Sequence, residues 1–283
     1  KIYWGVNESF KIVDIINQSN IAEDITGKEK LGQLMVSVTH ISDYGVFDIY
    51  VLPYSRERIF PGAKGRPRFT YEVDYNSTSY ESSHKKDKVG AAIRFSKVID
   101  DFDLGITHYY GTARNPDLNI NPNSLKIETH YPILSQSGID LQATIGSSLY
   151  KLEAISAKNG SERHASLAGG IEYTFYQPYD SSVDLGIITE IMLDDRNNYF
   201  LNNETAIGLR LTLNDINGTS LLTGASLDNN GDSNRFFAEF ETRLKDDIKI
   251  FIDLTVNGHI NANDFTYAFE QDSNLKLMIA KYF

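Results

Sequence analysis

Six histidines, at positions 40, 84, 108, 130, 164 and 259, carry the only imidazoles of the chain. No two of them stand at a spacing that would close them on one metal ion from a single helix or turn. Cysteine is absent, which removes thiolate ligands, a thiol nucleophile and every disulfide. His130 stands two residues from Glu128, so a general base is conceivable there, but a solvated wall residue explains it as well. The doublets Asp100-Asp101, Asp194-Asp195 and Asp246-Asp247 offer paired carboxylates for acid–base work. Two of the three sit in what read as tight turns, where aspartate is simply a turn former. A glycine-rich phosphate loop is missing too. The expectation is therefore no enzyme, no metal and no cofactor.

Most charged residues instead occupy every second position along apolar stretches. Ile248, Ile250, Ile252, Leu254 and Val256 alternate with Lys249, Phe251, Asp253, Thr255 and Asn257, and Phe236, Ala238 and Phe240 alternate with Arg235, Glu239, Glu241 and Arg243. A period of two is the signature of a strand with one apolar and one polar face. Fourteen such strands are expected, near residues 1–6, 31–42, 45–54, 88–98, 102–111, 124–133, 139–152, 163–177, 182–193, 203–213, 218–228, 233–245, 247–257 and 274–283. One set of connections is tight: 42–45, 100–101, 135–138, 178–181, 215–218 and 246–247. The other set, 7–30, 54–88, 112–123, 153–162, 194–202, 229–232 and 258–273, is generally longer and polar. Residues 9–18 place Phe10, Val13 and Ile16 at helical spacing, so a short helix packed inside or over the strands is expected, with an extra strand as the alternative. No stretch reaches eighteen apolar residues, yet strands of about ten residues with alternate apolar positions also span a bilayer. The pattern gives an all-β fold: a transmembrane antiparallel up-and-down β-barrel of at least 14 strands, with short periplasmic turns and long extracellular loops. Residues 1–283 form one such domain, and further strands or a plug upstream of Lys1 are expected.

The terminal strand ends Asn274-Leu275-Lys276-Leu277-Met278-Ile279-Ala280-Lys281-Tyr282-Phe283, with Leu275, Leu277, Ile279 and Phe283 on one face. It resembles the assembly signal of Gram-negative outer-membrane barrel proteins of the porin-like kind, in which a final Phe follows hydrophobic residues at alternate positions. Lys281 departs from that pattern, although a lysine near the bilayer edge can reach the headgroups. A shorter likeness covers about the first 55 residues: Trp4-Gly5, Val13 to Asn17 and Tyr50 to Pro53 resemble a segment of larger proteobacterial outer-membrane proteins of unassigned function. The resemblance implies a bacterial outer-membrane location, with lipid, lipopolysaccharide and the barrel assembly machinery as partners.

With the apolar face toward lipid, the polar face lines the interior. That lining includes Lys126, Glu128, His130, Glu172, Asp184, Glu190, Arg210, Arg235, Glu239, Arg243 and Asp253. Charges of both signs in such number imply water inside, because a dry interior demands a partner for each. Glycines expected on the same face, at 90, 105, 146, 170, 186, 208 and 224, either permit curvature or make room for an inward-folding loop. The chain carries 27 Lys+Arg against 38 Asp+Glu, for a net charge of −11, which argues against nucleic-acid binding. Its basic residues cluster at Arg56, Arg58, Lys64, Arg66 and Arg68. That loop is expected either to fold into the pore opposite Glu172, Asp184 and Glu190 as a constriction for anionic solutes, or to bind lipopolysaccharide phosphates outside. Loop acids Asp228, Asp232, Asp264 and Asp272 suit bridging to lipopolysaccharide through divalent cations. The functional expectation is a channel for passive diffusion of small polar, including anionic, solutes. The alternative is an anchoring or scaffold barrel that binds a partner protein through its loops without transport.

Overall fold

In the computed structural model the alternating residues do separate onto two faces of one large antiparallel sheet. The structure describes residues 1–24, 26–196, 203–231, 233–262 and 265–283. Among the described residues there are sixteen strands: β1 (Val36–Ser42), β2 (Gly45–Leu52), β3 (Ser79–Tyr80), β4 (Gly90–Ile99), β5 (Phe102–Thr112), β6 (Asp117–Asn121), β7 (Lys126–Tyr131), β8 (Ile133–Ile145), β9 (Ser148–Asn159), β10 (Glu162–Phe175), β11 (Asp184–Asp194), β12 (Glu204–Thr212), β13 (Ser220–Asp228), β14 (Ser233–Lys245), β15 (Ile248–Ile260) and β16 (Asn274–Lys281). Thirteen of them make an up-and-down sheet, β1-β2-β4-β5-β8-β9-β10-β11-β12-β13-β14-β15-β16, and β3-β7-β6 make a small separate sheet. Only short 3-10 turns interrupt the strands, and no α-helix occurs among the described residues.

Several expected elements differ. Residues 1–6 are not a strand, and β1 starts only at Val36. Ser135 to Gly138 look like a turn but lie within β8, where Gln136 is buried on the inward face and Ser137 bonds His108 on the outward one. The turn falls instead at 146–147, where Gly146 adopts φ +60°, a conformation that costs glycine nothing. Gly146 is thus a turn residue and not part of the inner wall. Likewise β9 runs on to Asn159, so 153–159 is strand and the connection to β10 is short. The strand near 124–133 is β7 of the small sheet. Lys126, Glu128 and His130 therefore stand outside the wall they were expected to line.

One face of the large sheet is exposed and apolar, carrying Ile93, Ile106, Leu152, Leu167, Ile171, Ile187, Ile191, Ile207 and Leu209. Near the tight-turn end the same face carries aromatic rings, among them Phe47, Phe102, Tyr150, Tyr173 and Phe175. Phe47 and Phe95 pack at 4.8 Å between centroids, as do Tyr173 and Phe175.

The other face curls around residues 1–33. Trp4, Val13 and Ile16 form a buried cluster with Tyr50 and Leu52 of β2, Ala92 of β4, Tyr109 of β5, Leu134 of β8 and Ile155 of β9. Phe10 packs on Ala168, Met192 and Ala206 of β10, β11 and β12. Lys28 reaches Glu239 and the Phe237 ring on β14, while Glu23 and Glu29 lie 3.6 and 3.9 Å from Lys276 on β16. One peptide can touch strands from β2 to β16 only if the sheet wraps around it. The expectation of a helix at 9–18 fails, although Phe10, Val13 and Ile16 are all buried inside as their spacing suggested. The segment is irregular, and the backbone N–H groups of residues 6–9 and 13 are taken by acids of the wall.

Candidate functional site: a carboxylate-anchored interior

Glu153 of β9 and Glu190 of β11 are fully buried and point inward. Glu153 accepts hydrogen bonds from the backbone N–H of Val6 (2.8 Å), Asn7 (2.9 Å) and Val13 (3.1 Å). Glu190 accepts from the N–H of Glu8 (2.6 Å) and Ser9 (2.7 Å). Five backbone amides, those of residues 6–9 and 13, are thereby satisfied by two wall side chains. Gly5 makes the approach possible: it adopts φ +101°, and a Cβ there would stand 2.8 Å from a Glu153 oxygen.

A chain of ion pairs ties the same segment to the wall. Glu8 meets Arg210 at 2.7 Å, Arg210 meets Glu172 at 3.0 Å, and Lys151 lies 3.7 Å from Glu172 and 3.6 Å from Glu190. Burial would raise the Glu8 pKa, but the Arg210 guanidinium outweighs it and holds the carboxyl below its ordinary value. Asp14 and Lys30 form a second buried pair at 3.5 Å; burial raises the Asp14 pKa and lowers that of Lys30. On the wall itself Arg94 grips Asp140 through two bonds of 2.6 and 2.7 Å, beneath the Trp4 ring. Two of the inward glycines accommodate these wall groups. A Cβ at Gly105 would collide with Arg94 and Asp140, and one at Gly170 with Glu190. Gly138, in the stretch read as a turn, is the glycine that faces the segment, next to Val13.

The arginine-rich loop lies elsewhere. Residues 54–88, the β6–β7 hairpin and residues 265–273 build a cap over the loop end of the sheet, with a core of Phe60, Phe69, Val73, Ile127 and Phe269 joined by Ile21 of the inner segment. Arg56 donates to the Gly32 carbonyl, Arg58 to Gln18 and Asn115, Arg68 to the Ala63 carbonyl, and Arg66 pairs with Asp272 at 2.7 Å. The expected constriction is corrected: Glu172 and Glu190 are engaged by Arg210, Lys151 and the inner segment, and these arginines hold the cap together. Asp272 is buried in that pairing and is no solvated loop acid, while Asp232 and Asp264 lie outside the described residues.

The remaining expected residues sort by height. Asp184 accepts from the Gln177 N–H within a tight-turn connection, and Arg243 is exposed close to another. Arg235 bonds Asn257, Glu239 bonds Lys28, and Asp253 stands opposite Glu239 and Lys276 on the inward face. Leu275, Leu277, Ile279 and Phe283 are all exposed. Lys281 lies 3.8 Å from Asp247 of the adjacent turn. Glu153 and the cap were missed in the sequence, because a single acid in a strand carries no local sign of what it will bind.

Tyr131, in the cap, has its hydroxyl raised to about 12 by burial, and Tyr80 stacks on it at 5.3 Å. A pKa raised on folding contributes stability that is present below the ordinary value of 10.0 and is lost as pH rises through the folded value. The cap is therefore expected to loosen between about pH 10 and 12, with tyrosinate absorbance and cap proteolysis rising together. Tyrosinate absorbance saturating well below that window would show the burial to be wrong.

No protein-family model, no curated protein and no solved structure matches this chain.

Proposed function

We propose that the chain is a bacterial outer-membrane β-barrel closed by its own inner segment, serving as an anchoring scaffold that presents a folded cap to a partner protein. The observation that carries this reading is the seating of residues 5–13 on the buried carboxylates of Glu153 and Glu190. An open diffusion pore has no use for five backbone bonds that hold a peptide across its lumen. The exposed apolar face and its aromatic rings near the tight turns support a bilayer as the surroundings. Lipid and lipopolysaccharide would then surround the wall, and the exposed Leu275, Leu277, Ile279 and Phe283 would be free for recognition by the assembly machinery.

The second reading, passive diffusion of small polar or anionic solutes, draws on the inward charges of β14 and β15. Glu241, Lys249 and Asp253 remain half-exposed where the buried residues on β9 to β11 do not. In that reading the inner segment must leave. Planar-bilayer recording separates the two: the scaffold reading expects no stable conductance steps from the intact protein. Sustained ohmic steps with the segment still seated would favour the channel.

A further inference from the structure

Where the outward apolar face meets the cap, a short basic run stands at its rim. Val51 of β2, Ala91 of β4 and Tyr110 of β5 make one exposed cross-strand row near the loop end of these strands, and Val89 is exposed beside them. The run is His84-Lys85-Lys86-Asp87-Lys88. Its Lys88 ammonium sits 4.8 Å from the centroid of the Tyr110 ring, and the Lys86 ammonium lies 5.9 Å from that of Tyr54, just past β2. A lysine whose stem follows an apolar wall and whose ammonium stands on an aromatic ring suits the level at which hydrocarbon gives way to headgroups.

The backbone holds this run in place, while its charges are left open. Lys85–Asp87 is a 3-10 turn entered with Lys85 at φ +50°, a conformation uncommon outside glycine. The Ser55 N–H donates to the Lys86 carbonyl at 2.7 Å and ties the turn to the end of β2. Lys28, Lys30, Lys151, Lys249, Lys276 and Lys281 all pair with acids of the fold. Among the described residues no salt bridge engages Lys85, Lys86 or Lys88, and the acceptor of Lys88 Nζ is the Val89 carbonyl at 3.5 Å. Within the run three ammoniums stand against the single carboxylate of Asp87. Glu57, across the hollow that the run lines with Tyr80 and Ser83, already accepts the Tyr80 hydroxyl.

From this placement we infer that Lys85, Lys86 and Lys88 form a binding site for the phosphate headgroup of an anionic lipid whose acyl chains lie along Val51, Val89 and Ile93. The inference rests on the membrane reading above and adds to it a particular site and a headgroup chemistry. Position selects a lipid over an acidic protein. An amphiphile carries its negative charge directly above hydrocarbon, and the run sets its ammoniums directly at the rim of an apolar strip. A soluble acidic partner would meet the cations and leave the strip below them bare. Lysine also suits the headgroup, because its ammonium is a point charge with three rotatable donors and accepts a phosphate in many orientations.

The test places the full chain in nanodiscs of phosphatidylcholine and phosphatidic acid in equal parts, releases it in a mass spectrometer and identifies the lipids that stay bound. Each lysine near an anionic headgroup contributes about fivefold, so the native chain should retain phosphatidic acid over phosphatidylcholine by more than about tenfold. The Lys85→Gln, Lys86→Gln, Lys88→Gln triple variant should retain the two lipids equally. Lys86→Gln alone, which leaves the Lys88 contact with Tyr110 in place, should lose about fivefold. Arginine at the same three positions should keep the preference, as should Lys64→Gln, which removes an exposed charge elsewhere in the cap. Trp4 emission verifies the fold of each variant. An undiminished preference in the triple variant, or its loss in the arginine variant, would overturn the inference. Displacement of the lipid by excess inorganic phosphate would overturn it in favour of a free-anion site, and displacement by polyglutamate in favour of an acidic protein. A photo-crosslinking phenylalanine analogue at Ile207, on β12, reports on the membrane reading alone. Lipid adducts there without a phosphatidic acid preference would remove the headgroup site and keep the bilayer; absence of lipid adducts there would remove the bilayer, and the site with it.

Discussion

Replacing both Glu153 and Glu190 with alanine should unseat the inner segment while leaving the strand ladders of the wall intact. Five backbone N–H groups lose their acceptors together, from Val6, Asn7 and Val13 on one carboxylate and from Glu8 and Ser9 on the other. A buried donor left without a partner costs about 1–3 kcal/mol. Even with partial hydration of the freed amides, the loss is comparable to the whole apolar contribution of Phe10, Val13 and Ile16, each worth roughly 1.5–3 kcal/mol when buried. Trp4 supplies the readout, being the only tryptophan of the chain and 4% exposed. Its emission should move to the red, its quenching by acrylamide should rise, and protease should cut within residues 1–33. Glu153→Gln keeps one acceptor oxygen and should fall between the native protein and the double variant. Native Trp4 emission and protease resistance in the double variant would show that apolar packing alone seats the segment.

Period-two alternation was enough to place the outward and inward faces, because solvent on one side and packed groups on the other impose the same pattern on each strand. Ile207 and Leu209 are exposed while Arg210 contacts the inner segment, as the alternation requires. The same reasoning misjudged segments whose partners are distant in sequence. Phe10, Val13 and Ile16 suggested a helix from within the segment, but the wall acids more than 130 residues away decide where its amides go. Ser135 to Gly138 carry turn composition, yet Gly138 is needed in β8 for close approach of Val13 and Thr107. Arg56, Arg58, Arg66 and Arg68 form a dense basic cluster in the sequence, whereas their acceptors come from residues 18, 32, 63, 115 and 272, which only the folded cap assembles.

Arginine in place of Ile207 should discriminate between a wall surrounded by lipid and one surrounded by water, because the two solvents differ greatly in what they charge for the guanidinium. Ile207 sits mid-strand in β12, opposite Thr189 and Ala225, and its side chain is 51% exposed on the apolar face. In water, exchanging a half-exposed isoleucine for arginine removes apolar surface from solvent contact and adds charge. The change in stability should then lie within about 0.5 kcal/mol, with solubility improved. In a bilayer the guanidinium must be held in or dragged through hydrocarbon, which costs roughly 2–4 kcal/mol near the midplane of a transmembrane barrel. Leu244, exposed beside the turn at Asp246 and Asp247, provides the depth control: arginine there can reach the headgroups and should cost about 0–1 kcal/mol. Ala206, 3% exposed and packed against Phe10, provides the inward control, since arginine there collides with the segment and should shift Trp4 emission, a readout that Ile207→Arg leaves unchanged. Urea titration of protein folded into lipid vesicles gives the free-energy differences directly. Equal stability of Ile207→Arg and Leu244→Arg, with both close to the native protein, would remove the bilayer from the account of this fold.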